Sequence, residues 1–287
     1  HIVGQVIRLL RSAALPHFEA QLLPSVQHWI TRADHPQLAT LALCHMIDVA
    51  EWCAPESHKF AEPLAQALLH YAGHTDDELR STSCYGLGVL AEFGPKEFDA
   101  HVVPSCERLV AVVRAGDTSS ETAVKATENA LSSAVKLALF RGHAITGDGP
   151  APLVKAMLSL LPISTDQIEA VTLHGLVVRA LAAGHPLVAG EGWSNLGLLL
   201  RLFAEVLGAA EGETGSGAAA GAEAAGEDGD DDDDEEDTSL ASPETKALMV
   251  EWLRQAQRGA VPADALGKAF SELQPSQQKV LAKAVAT

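Results

Sequence analysis

Eight residues at Phe18–Ser25, FEAQLLPS, return in altered form at Phe98–Ser105 as FDAHVVPS. The aromatic, the Ala, the apolar pair, the Pro and the Ser persist while the polar positions drift. A weaker copy, KFAEPLAQALLHY, begins at Lys59 between them. Phe18, Phe60 and Phe98 are therefore 42 and 38 residues apart. A recurrence of this length marks a chain built from stacked supersecondary units, none of which can bury its apolar face alone.

The content of each period is helical. Gln37 to Cys53 is apolar at Leu38, Leu41, Ala42, Met46, Val49 and Ala50, the spacing of one helix face. After a break at Ala54-Pro55 a second helix is predicted over Ser57–Tyr71, then Asp76–Phe93, a Gly94-Pro95 break, and Glu97–Arg114. Thr75 or Asp76 is placed to cap the third of these. Further helices are predicted over Glu121–Arg141, Pro152–Leu161, Ser164–Ala183, Trp193–Leu207, Glu244–Arg258, Asp264–Leu273 and from Ser276 onward, the Trp193 helix pairing with the one before it. Two helices per period of about forty residues is the HEAT or armadillo pattern. The fold class expected is all-α, an α-solenoid of HEAT repeats. The repeated Phe is expected to open the second helix of each pair and plug the groove, with the following Pro kinking that helix.

Composition agrees. Hydrophobic residues make up 47% of the chain but aromatics only 5%, so packing rests on Ala, Leu and Val, which suit close-stacked helices. No run of about 18 apolar residues is present to span a membrane, and no segment reads as a signal peptide. The chain opens at His1 inside an apolar stretch, which reads as a piece of something longer. Cys44, Cys53, Cys84 and Cys106 form no C-x-x-C pair and read as buried free thiols rather than zinc ligands.

Thirteen of the 38 acids lie between Glu211 and Asp237, where there is no base; the remainder of the chain carries 25 acids against 20 bases. Residues 208–243, rich in Gly, Ala, Glu and Asp, are expected to be a disordered acidic insertion loop. It would separate HEAT repeats over 1–207 from C-terminal HEAT helices over 244–287. The acidic run reads either as a solvated loop or as a lure for basic proteins, the second being strongly salt-dependent.

Four stretches resemble one family. Arg80 to Gly94, RSTSCYGLGVLAEFG, is similar to a first-helix pattern R-x-x-A-x-Y/F-G-x-G-V of the karyopherin-β (importin-β) superfamily, with Ser83 in place of Ala. ATENA at Ala126–Ala130 followed by Ala134-Val135-Lys136, LLPISTDQIE at Leu160–Glu169, and FSELQP at Phe270–Pro275 resemble three further patterns in the same order. The resemblance implies a superhelix whose inner helices carry basic cargo, including histones such as H3/H4 and ribosomal proteins, between cytoplasm and nucleus. It also implies Ran-GTP binding at N-terminal repeats outside this stretch, nucleoporin contacts in the full-length protein, a monomer, and no cofactor, nucleic acid or membrane partner.

Enzyme chemistry finds little footing. His45 and Asp48 are three apart on an Ala/Leu-rich helix face with no nucleophile nearby, and read as a satisfied histidine or as surface polar positions rather than as a catalytic or metal pair. Gly86-Leu87-Gly88 sits mid-helix and reads as a site of close helix approach, not a phosphate loop. Basic-peptide binding instead needs carboxylates, amides and aromatic faces. The candidates are Tyr85, Glu92, Glu128, Asn129, Asp166 and Glu169. Glu92 is two turns from Tyr85 on one face, and Asp166 and Glu169 are one turn apart, placed to form a lysine pocket. Each also reads as a solvated polar position, and the last two as acids favoured by the helix dipole. Trp52 and Trp193 read as groove aromatics or as core. The other function class open to such a chain is a HEAT scaffold with a non-transport partner.

Overall fold

The computed structural model describes residues 2–32, 34–209 and 239–286. Among them are fifteen α-helices and no strand, and helix packs on helix: the fold is an all-α solenoid. The chain divides into two compact units, His1–Leu160 and Leu161–Thr287.

The first unit holds α1 (Ile2–Leu10), α2 (Leu15–Gln21), α3 (Leu23–Ile30), α4 (Pro36–Trp52), α5 (Ala61–Tyr71), α6 (Asp77–Phe93), α7 (Val102–Ala115), α8 (Glu121–Arg141) and α9 (Pro150–Leu158). The long helices α4, α6 and α8 lie side by side, α6 in the middle; α5 backs α6, α7 backs α8, and α3 backs α4. Small residues let the layer close up. A Cβ on Gly86 would lie 2.7 Å from Ile47 of α4 and from Leu68 of α5, and one on Gly88 would overlap Ser133 of α8. The expected close approach at Gly86 and Gly88 is thus present. It is reinforced by Ser133, whose hydroxyl donates 2.7 Å to the Cys84 carbonyl across the α6–α8 seam. Asp76 caps α6 by accepting from Leu79 N–H at 2.9 Å.

The repeated Phe and Pro differ from expectation. Phe60 and Phe98 lie in 3₁₀ turns, Glu56–Phe60 and Lys96–His101, that precede α5 and α7, and Phe18 lies within short α2. Phe18 and Phe98 are buried plugs, but Phe60 is half-buried. Pro24, Pro63 and Pro104 stand in the first turn of α3, α5 and α7. There the missing N–H would have had no helical partner, so each Pro starts a helix instead of kinking one. The retained Phe-to-Pro spacing encodes a tight turn followed by a helix start.

The same edge carries polar contacts between successive repeats: an ion pair from Glu19 to Lys59 at 2.6 Å, and hydrogen bonds from Glu62 to His101 at 2.7 Å and from Asp99 to His143 at 2.9 Å. The acids are the Phe+1 or Phe+2 residues. Arg141 joins the last pair, with Nε donating 2.8 Å to the Ala91 carbonyl. Arg80, the first residue of the family-like motif, donates to the His74 carbonyl at 2.8 Å and to Asp77 at 2.6 Å, fastening the loop before α6.

The second unit holds α10 (Gln167–Ala182), the one-turn α11 (Pro186–Ala189), α12 (Leu196–Ala209), α13 (Pro243–Gln255), α14 (Ala263–Ser271) and α15 (Pro275–Ala286). α10 packs mainly on α13, and α12 on α14 and α15, so α12 is not the chief partner of α10 as its position in the chain suggests. Trp252 meets Phe203 edge-on at 5.8 Å and Trp193 at 6.2 Å, so the half-buried Trp193 packs on the edge of a buried aromatic pair. His174 is fully buried: its Nδ1 donates 2.7 Å to the Leu240 carbonyl and its Nε2 accepts from Ile163 N–H at 3.3 Å. The two bonds fix the tautomer and tie the return of the chain at Leu240 to α10. Of the acidic loop expected over 208–243, residues 210–238 lie outside the described residues, but its two ends are ordered: 208–209 close α12, and 239–243 lead into α13 with Ala241 buried and Ser242 Oγ accepting from Thr245 N–H at 3.2 Å.

Candidate functional site

In the first unit α4, α6 and α8 carry polar residues along the layer they form, partly exposed on α4 and mostly buried on α8. On α4 the positions Leu41, Cys44, Asp48 and Glu51 recur every three or four residues, so they form one stripe. Leu41 is 40% exposed and Cys44 is exposed; Asp48 and Glu51 are half-buried. α1 comes close at Gly4, where a Cβ would overlap the Asp48 carboxylate. Burial there pushes the Asp48 carboxyl up to about 6. Burial also raises Glu51, reinforced by the charge of Asp48 and opposed by the Tyr85 hydroxyl and by Lys136. Two carboxylates are thus held where their charge is costly.

α6 and α8 supply four of the six residues singled out from sequence. The Tyr85 hydroxyl donates a long, 3.4 Å bond to Glu51, and the negative charge of Glu92 is felt at Glu51 too, as expected if Tyr85 and Glu92 share a face. Asn129 donates 3.1 Å to Ser81 across the α6–α8 seam. Glu128 and Asn129 are only 9% and 5% exposed, so a ligand would reach them at their edges alone. The remaining two belong to the second unit. Asp166 is the N-cap of α10, accepting from Glu169 N–H at 3.1 Å, and Glu169 is 4% exposed. The Asp166 carboxylate therefore serves a helix start.

The aromatic faces are already occupied. The Lys136 ammonium, on a residue only 3% exposed, sits 5.4 Å from the Tyr85 ring centroid. Arg8 and Arg11 lie 5.0 and 5.5 Å from the Trp52 ring, and Lys59 lies 5.2 Å from Phe60. The cage that sequence reasoning reserved for a ligand lysine holds the chain's own lysine.

Sequence reasoning missed Asp48 and Glu51 as a pair and Lys136 as the counter-charge of Glu51. The signal was present: acids at 48 and 51 interrupt an otherwise apolar helix at positions two turns from Leu41 and Cys44. His45 differs from expectation in another way. It is 7% exposed, its Nδ1 has no hydrogen-bond partner, and burial lowers its pKa, so it is a neutral, unsatisfied core histidine. Only Cys53 and Cys84 are buried; Cys44 is exposed and Cys106 half-buried, and all four are free thiols. Burial pushes the Cys84 thiol up to about 12 and the Cys106 thiol up to about 11, which keeps both protonated and unreactive at neutral pH.

Among the described residues no group of three His, Cys, Asp or Glu side chains is placed to hold a metal, and no single helix is long and apolar enough to cross a membrane. No protein-family model matches the chain.

Proposed function

We propose that this chain is a protein-binding module that takes lysine- and arginine-rich segments, and that it serves as the C-terminal cargo-binding part of a nuclear import receptor. Histone H3/H4 tails and ribosomal proteins are the cargo class, and the protein shuttles between cytoplasm and nucleus. The observation that carries the reading is the half-buried, incompletely neutralised pair Asp48 and Glu51 beside Tyr85 and Glu92. A docked ammonium or guanidinium would relieve a desolvation cost that the fold now bears. The motif resemblance around Arg80–Gly94 and the stacked helix pairs support it. No cofactor enters the reading, and Ran-GTP and nucleoporins would act through parts of the receptor beyond this chain.

The reading is tested by calorimetric titration with a histone H3-tail peptide at low and high salt. Binding weakened by salt is expected, with proton release at about pH 6 as the Asp48 carboxyl ionises on docking. Asp48→Asn with Glu51→Gln should weaken it roughly tenfold or more. An affinity indifferent to both salt and the double substitution refutes the proposal.

A second reading has its own observation. Because Lys136, Arg8, Arg11 and Lys59 fill the aromatic faces, the repeats also suit a scaffold whose partner brings no lysine to cage. Indifference to every basic peptide favours that scaffold.

A further inference from the structure

The second unit contains a cleft of about 580 Å³ between α12, α13, α14 and α15. One face of α14 (Ala263, Leu266, Gly267 and Phe270) forms one wall, and Leu253 and Leu281 lie across from it. The lining is apolar apart from Gln257. Its volume falls in the range of sites that hold ligands, and its walls are aliphatic and aromatic. Gln257, Gly259, Pro262, Ala263, Gly267 and Ala282 are exposed, so the cleft is open along its length rather than closed into a tunnel. An open cleft of this kind suits side chains inserted from a segment lying on the surface; an acyl chain needs enclosure.

The charge next to the lining residues along the chain is one-sided. On α13, α14, α15 and the turn after α13, the charged residues one position or one turn from a lining residue are Arg254, Arg258, Lys268, Lys279 and Lys283 against Asp264 alone. Elsewhere the chain has an excess of acids. Basic residues flanking an apolar cleft reject the lysine-rich segments proposed for the first unit and attract acidic ones. The chain's own acidic run cannot fill the cleft: between Glu211 and Asp237 its only apolar side chains are those of Ala. We infer that the α12–α15 cleft is a second docking site, taking an acidic amphipathic helix of a partner protein whose large apolar side chains enter the cleft while its carboxylates meet the flanking basic residues. One helix-in-groove contact of i, i+3, i+4 and i+7 type matches the spacing of the α14 wall.

Gly267 makes the inference testable without unfolding the protein. A Cβ there meets nothing within 4 Å and the residue is helical, so Gly267→Leu puts its side chain into the empty cleft and also improves helix propensity. The full chain is used to select from a pool of peptides on the order of a dozen residues long, with Leu, Phe, Val or Ser at apolar positions and Asp, Glu, Lys, Arg or Ser at the others. Enrichment of peptides pairing Leu or Phe with Asp and Glu is expected. Their affinity should fall with salt, fall roughly tenfold or more in Gly267→Leu at unchanged or raised melting temperature, and fall in Lys268→Glu with Lys279→Glu. Enrichment of basic peptides, no enrichment, or binding that Gly267→Leu leaves intact overturns the inference. So does titratable binding of oleate that the selected peptides cannot displace, which would make the cleft a lipid site.

Discussion

Replacing Asp48 by Asn tests the central electrostatic claim about the α4 stripe. The folded chain holds this carboxyl at about 6, against 3.8 for an unperturbed aspartate, because half-burial between α4 and α1 strips its water. Its folded pKa lies above its unfolded one, so its contribution to stability is fully present below about pH 4 and is lost as pH rises through about 6. The gap of about two pK units corresponds to at most about 3 kcal/mol at neutral pH. Asn has the same shape and no charge to desolvate. Asp48→Asn should therefore be more stable than the parent by about 1–3 kcal/mol at about pH 7.5 and nearly equal to it at about pH 4. Urea denaturation followed by circular dichroism at several pH values measures this as variant minus parent, so that groups common to both cancel. Loss of the Asp48 charge should also lower the Glu51 pKa, since Asp48 is the second cause of its upward shift. A variant whose stability gain is absent, or is the same at acid and neutral pH, refutes the claim that Asp48 is a costly, incompletely compensated charge. The argument for a cationic ligand at that stripe would fall with it.

Two further substitutions probe the frame that positions the stripe. Gly86→Ala should destabilise the first unit by about 1–2 kcal/mol despite its better helix propensity, because its methyl would stand 2.7 Å from buried Ile47 and Leu68; urea midpoints measure this, and a neutral result would show that α4, α5 and α6 separate easily. His174→Phe should cost about 2–4 kcal/mol, since it leaves the Ile163 N–H and the Leu240 carbonyl without their ring partners; amide exchange at Ile163 should speed up in step, and protection retained there would show that the staple is dispensable.

How much of this could be read from the sequence depends on which physical signal was local. Helix existence was local. The Glu121–Arg141 helix coincides with α8 at both ends, and Asp76 caps α6, because apolar spacing, an N-cap and a Gly-Pro stop are written within a few residues of where they act. The 3₁₀ turns at Glu56–Phe60 and Lys96–His101 were not legible, since their apolar spacing continues smoothly into the following helix and only the Pro position marks the change. The pairing of α10 with α13 was hidden for a different reason: 60 residues separate the end of α10 from the start of α13, and nothing local records which distant helix covers a face.

The candidate site shows the same division more sharply. Sequence alone identifies a residue as able to hold a cation but not whether the chain already supplies one. Tyr85 and Lys136 are 51 positions apart, and only the tight α6–α8 seam, permitted by Gly88 beside Ser133, brings the ammonium over the ring. The same seam that makes Tyr85 a spent partner leaves Asp48 on α4, with α6 standing between it and α8, and burial is the chief influence on its carboxyl. The acidic face is therefore graded: neutralised from within near α8, costly near α4. Under the proposed function a basic segment would gain most where the fold has compensated least, so its first lysine would belong at Asp48 and Glu51 rather than at the aromatic that drew notice in the sequence.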